Sequence, residues 1–140
     1  LMIMSGHGGN IFKPAIRDIM IDDPDFVICH NEWFNIVPRE GFFEEKEDDH
    51  AGELETSVML HYHPELVDMS LAGDGKFSSF AIEGLNSKVA WVPRDWSHVS
   101  KDTGVGDPRK ATAEKGRRYM EAVIPKIVDL VVDFATKPIY

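Results

Sequence analysis

Four apolar residues run straight into a glycine-rich turn carrying one imidazole in Leu1-Met-Ile-Met-Ser-Gly-His-Gly-Gly-Asn10. Leu1 to Met4 read as a buried strand and Ile11 onward as a helix, with Asn10 as its N-cap and Pro14 early enough to be tolerated. His7 then lies in a strand-to-helix turn. In open α/β sheets that is where ligands bind, because the loops diverge at the carboxyl ends of the strands. Gly6, Gly8 and Gly9 are read as permitting positive φ and, lacking Cβ atoms, as leaving room for a ligand. Two uses suit this turn. His7 can ligate a metal through a ring nitrogen, or the bare amides at the helix start can cradle an anion. Gly8 and Gly9 are accordingly candidate substrate-binding positions.

The helix should stop before Asp22-Asp23-Pro24, and the apolar run Phe26-Val-Ile-Cys29 reads as a second buried parallel strand. Strand, helix and strand make one βαβ unit, so the expected class is α/β. A lone unit of this kind cannot cover both faces of a parallel sheet. The 140 residues are therefore read as one α/β domain that forms the carboxy-terminal part of a larger one. A net charge of −9 argues against nucleic acid or an anionic membrane as partner, since phosphate binding is driven by Lys and Arg. It leaves a cation or a small molecule. Cys29 is the only cysteine and no span of 18 apolar residues occurs, which suits a reducing, cytoplasmic setting.

Further along, Trp33, Phe42 and Phe43 are aromatic candidates for a pocket wall or for core, and Glu44 to Asp49 read as a solvated acidic stretch. Ala51, Leu54, Val58 and Tyr62 fall at helical spacing, so a helix is expected from about Ala51 to a stop before Pro64. His50, as part of its cap, could share a cavity with Glu55, the imidazole transferring protons and the carboxylate acting as ligand or base. Phe77 to Glu83 read as a possible strand, Asn86 to Asp107 as a long loop, and His98 as structural. From Ala111 a long amphipathic helix is expected to present Met120, Val123, Ile124, Ile127, Val128, Val131 and Phe134 to the sheet, with Thr112 as N-cap and a kink at Pro125.

Three stretches taken together resemble the creatinine amidohydrolase (creatininase) family. They are Ser5-Gly-His-Gly-Gly-Asn10, then Asp48-x-His50-Ala-Gly-Glu53-x-Glu55-Thr-Ser57, then Gly106-Asp-Pro-x-x-Ala-Thr112-x-Glu114-x-Gly116. The resemblance covers essentially the whole chain. It implies a three-layer α/β/α sandwich on a mainly parallel sheet, assembled as a homohexamer. It also implies hydrolysis of amide-type C–N bonds with one or two divalent metals, zinc, manganese or iron. By the same resemblance His7 and Glu55 are metal ligands, His50 is the catalytic histidine beside a small amide substrate, and Asp48 orients His50. Gly9 stands where creatininase itself carries a glutamate ligand, and the family's earlier Glu-x-His and Asp ligands belong to an amino-terminal half. Two ligands fall short of the about three that a catalytic zinc uses. Deformylation, peptide trimming, and a non-catalytic metal-binding or assembly module are the other readings.

Overall fold

The computed structural model describes all residues, Leu1–Tyr140, and the chain divides into two compact units. The first comprises Leu1–Pro38 with Glu121–Tyr140, and the second Arg39–Met120. One helix, α5 (Ala113–Thr136), contributes to both.

The first unit holds the expected βαβ. Strand β1 (Met2–Ser5) and strand β2 (Cys29–Glu32) pair in parallel, Met2 beside Cys29 and Ser5 beside Glu32, with helix α1 (Lys13–Ile21) between them in sequence. The class is therefore α/β with a parallel sheet, and in this chain the sheet has two strands. The second strand begins three residues later than expected, at Cys29, the last residue of the apolar run. Cys29 N–H donates to the Leu1 carbonyl, and this register pairs the polar His30, Asn31 and Glu32 with β1. Phe26 and Val27 precede the strand and are exposed. Neither strand is buried as expected. Only Ser5 is enclosed, while Met4 stays half exposed, because a two-stranded parallel sheet lacks the neighbouring strands that cover such sheets elsewhere.

Helix α1 ends at Ile21, ahead of Pro24, with Pro14 in its first turn. Its N-cap is Phe12, without a side-chain cap bond. Asn10 belongs instead to the glycine turn, its N–H donating to the His7 carbonyl.

The second unit carries helix α2 (Glu53–Tyr62), two short helices α3 (Glu83–Asn86) and α4 (Trp96–Val99), and the first turns of α5. Helix α2 stops before Pro64 as the sequence predicts, and its N-cap is Gly52 rather than His50. No strand forms over Phe77–Glu83; Phe77 makes a single antiparallel bridge to Ser100 and the chain then enters α3. Helix α5 starts where Thr112 places it, the Thr112 hydroxyl accepting from Lys115 N–H at 3.2 Å, and it continues through Pro125.

The buried edge of α5 overlaps the expected stripe only in part. Val123 is enclosed as expected, together with Gly116 and Tyr119, whereas Ile124, Val128 and Val131 remain exposed. Close approach to α2 decides this. A Cβ on Gly116 would lie 2.0 Å from the Ser57 carbonyl oxygen, so the two backbones meet where no side chain intervenes. Tyr119 then packs edge-on to Phe42 and Phe43 at centroid distances of 5.4 and 5.2 Å. Both phenylalanines serve this core contact.

Candidate functional site

The candidate residues divide between the two units: His7, Gly8, Gly9 and Trp33 in the first, Asp48, His50 and Glu55 in the second.

In the first unit, parallel pairing brings the carboxyl ends of both strands to one edge of the sheet, with the His7 turn after β1 and Trp33 directly after β2. Phe34, edge-on to Trp33 at 5.8 Å, lies 3.7 Å from where a Gly8 Cβ would be. Gly6, Gly8 and Gly9 do not take the positive φ expected of them; the left-handed glycines are Gly41, Gly75 and Gly106. What Gly9 provides is clearance, since its Cβ would crowd the His7 ring at 3.1 Å. Gly9 N–H donates to His7 Nδ1 at 3.0 Å. Accepting that bond makes Nδ1 the unprotonated nitrogen of a neutral ring and leaves the proton on Nε2.

In the second unit, His50 is clamped by its backbone. Its N–H donates to the Val105 carbonyl at 3.0 Å and its carbonyl accepts from Val105 N–H at 2.8 Å, an antiparallel bridge. Beneath the bridge, three chain segments stack without side chains between them. A Cβ on Gly75 would lie 2.0 Å from the Gly106 carbonyl oxygen, and one on Gly106 would lie 2.7 Å from Asp48 Cα. Both glycines take positive φ, 66° and 107°. Ala51, between His50 and the helix, is also left-handed at φ 51°, a conformation that costs about 1–2 kcal/mol for a residue with a Cβ. His50 as a residue is half-buried, its ring 5.1 Å from that of Trp96.

Asp48 is 7% exposed, and its carboxylate accepts from Leu54 N–H at 2.8 Å in the first turn of α2. The partner that was expected to be the His50 ring is thus the start of the helix. Arg39 donates to the Asp48 carbonyl at 2.5 Å and lies 4.0 Å from its carboxylate. Burial raises the Asp48 carboxyl above its ordinary value, and the Leu54 amide and Arg39 only partly offset this. A raised folded value means stability fully present below the unfolded carboxyl pKa of about 3.9 and lost as pH rises through the folded value. Asp48→Asn should therefore gain stability relative to the parent at pH 7 and lose that advantage at pH 4. Urea midpoints at the two pH values measure it, and an advantage that grows on acidification would contradict the assignment.

Glu55 accepts from Ala51 N–H at 2.7 Å, tying the helix back to the residue after His50. Glu53, which the resemblance names without a role, is fully enclosed. Its carboxylate accepts from Glu44 and Glu45 N–H at 2.7 and 2.6 Å and from Lys115 Nζ. It holds the acidic stretch, expected to be merely solvated, against both helices. By residue type Trp96 is a pocket candidate, as are Trp33 and Trp91, but nothing in the sequence sets it beside His50 or signals the Gly75–Gly106 stack; the Gly106-Asp-Pro motif was the nearest signal.

Within neither unit do three His, Cys, Asp or Glu side chains converge as a metal centre requires. A metal binds an unprotonated nitrogen, so ligation through His7 Nε2 would also require the Gly9 bond to Nδ1 to open. The donors in this chain do not fit a complete catalytic metal site.

A parallel βαβ unit with a glycine–histidine turn, followed by a unit in which a backbone-clamped histidine precedes a helix, defines an α/β protein. Residues 1–131 match the family model for creatinine amidohydrolase, and the chain belongs to the creatininase family. A Bacteroides fragilis NCTC 9343 protein suggested to be a creatinine amidohydrolase has a crystal structure that superposes with a TM-score of 0.95 at 54% identity, covering 100% of this chain and 55% of that one. The mycofactocin precursor peptide peptidase of Mycobacterium ulcerans (strain Agy99) is 29% identical over 140 residues, 99% of this chain and 50% of its own length. A mutant creatininase of Zn–Zn type shares the fold at 22% identity and a TM-score of 0.72, over 99% of this chain and 57% of that one. The chain thus spans about half the length of the relatives it matches. No helix is long and apolar enough to cross a membrane.

Proposed function

We propose that this chain carries the proton-transfer half of a hydrolase acting on amide-type C–N bonds, with His50 as general acid toward the departing nitrogen. The observation that carries the reading is the clamp on His50. Two hydrogen bonds to Val105 hold its backbone rigidly, while the imidazole of this half-buried residue remains within reach of a substrate. Imidazole changes charge near neutral pH, so it can protonate a leaving amine that would otherwise depart as an unstable anion.

A divalent metal, zinc or manganese, belongs to this reading for the whole protein, where it would polarise the carbonyl and acidify water. Its ligands must include donors beyond His7 and Glu55, since those two do not complete a site. Gly8, Gly9 and Trp33 form the proposed substrate edge of the first unit. Asp48 acts indirectly, by fixing the turn before His50 to α2. A cytoplasmic homo-oligomer, hexameric by resemblance, completes the proposal.

Ring opening of creatinine is the first substrate reading, supported by the family and by the relative at 54% identity. Peptide trimming is the second, favoured by relatives named as peptidases at 29% and 28% identity. Assaying the chain against creatinine, an N-formyl amine and a short peptide separates them. His50→Ala should lower turnover of the accepted substrate by about 10²–10⁴-fold. Turnover retained in that variant would reject the role of His50, and a whole, metal-loaded protein that hydrolyses none of the three would favour the non-catalytic module.

A further inference from the structure

Hydrogen bonds to Val105 fix the backbone of His50, and a proton donor must be aimed as well as anchored. The ring contact with Trp96 contributes to that aim. Trp96 opens helix α4 and sets its ring 5.1 Å from the imidazole, with the planes inclined by 53°. Arg94 lies over the Trp96 ring, its guanidinium carbon 4.7 Å from the centroid. The same guanidinium pairs with the Asp49 carboxylate. Asp49 is the residue before His50, and its N–H donates to the Val105 carbonyl at 2.9 Å. The contacts therefore close on themselves: His50 to Trp96, Trp96 to Arg94, Arg94 to Asp49, and Asp49 by the chain back to His50.

We propose that Trp96 is a positioning residue for His50, with Arg94 and Asp49 holding the indole in place. The proposal rests on the reading of His50 as proton donor. Each link alone is weak, since ion pairs and cation–π contacts at exposed sites contribute little. Closure is what gives them a shared effect, because any one link can loosen only by straining the other two. The N-terminus of α4 is fixed independently, Asp95 accepting from Ser97 N–H at 3.1 Å, so the indole has a firm base.

The test uses the full chain with Trp96→Ala, Trp96→Phe and Arg94→Gln. The proton on His50 Cε1, assigned by its disappearance in His50→Ala, should show the ring-current displacement of a nearby indole. That displacement should vanish in Trp96→Ala, persist in part in Trp96→Phe and shrink in Arg94→Gln. On the accepted amide, Trp96→Ala should lower kcat about tenfold with KM unchanged, well short of the about 10²–10⁴-fold loss on removing the imidazole. Trp96→Phe should restore most of it. The proposal is overturned if Trp96→Ala leaves the His50 resonance in place, if only KM rises, or if Phe and Ala lose kcat equally. Absence of turnover in the whole, metal-loaded protein would defeat the hydrolase reading and the positioning role with it, whereas an unmoved His50 resonance with turnover intact would defeat the positioning role alone.

Discussion

Glu53→Ala is expected to lower the stability of the chain by about 3 kcal/mol, the lower end of what removing one partner of a buried ion pair costs. The carboxylate is fully enclosed and accepts three hydrogen bonds, two from the amides of Glu44 and Glu45 and one from Lys115. Alanine leaves both amides without that acceptor. Lys115 keeps Glu44 Oε1 and the Lys110 carbonyl, each at 2.9 Å, which holds the loss below the upper end of the range. Glu53→Gln retains an acceptor oxygen and should lose clearly less. Chemical denaturation of the three proteins measures the series, and an alanine variant within about 0.5 kcal/mol of the parent, as ordinary surface substitutions are, would show that the cluster contributes nothing.

Gly116→Ala should be destabilising by about 3 kcal/mol, the upper end for overpacking. Propensity alone predicts the reverse, because alanine is favoured over glycine in a helix interior by about 1 kcal/mol. The clash wins because its partner is backbone. The new Cβ would sit 2.0 Å from the Ser57 carbonyl oxygen and 2.8 Å from Val58 N, so α5 must move away from α2. That movement also pulls Thr112 N–H from the Ser57 hydroxyl, 3.2 Å away. Thermal unfolding of Gly116→Ala decides between the two effects, and a raised Tm would mean that the helices lie further apart than described.

The candidate site was legible in part. The glycine–histidine turn and the Asp48-to-Ser57 motif named His7, His50 and Glu55 because their residue types and order are themselves the signal. The constraints on His50 were not legible. Val105, Gly106 and Trp96 lie some fifty residues along the chain, and nothing near them marks that distance as contact. The role expected of Asp48 was misplaced for a related reason. An acidic residue near a histidine reads as its partner, whereas the first-turn amide of Leu54, exposed by the geometry of the helix start, takes the carboxylate.

What the sequence determined by itself is what a few adjacent residues can enforce. Proline stops α1 and α2, Thr112 starts α5, and the strand–helix–strand order yields a parallel pair. Tertiary structure alone decided the register of β2, the absence of a strand after Phe77, and the edge of α5 that is buried. Each of these depends on where a distant backbone comes to lie. Strand pairing set the polar residues His30, Asn31 and Glu32 beside β1, and the approach of Ser57 to Gly116 set which edge of α5 meets α2.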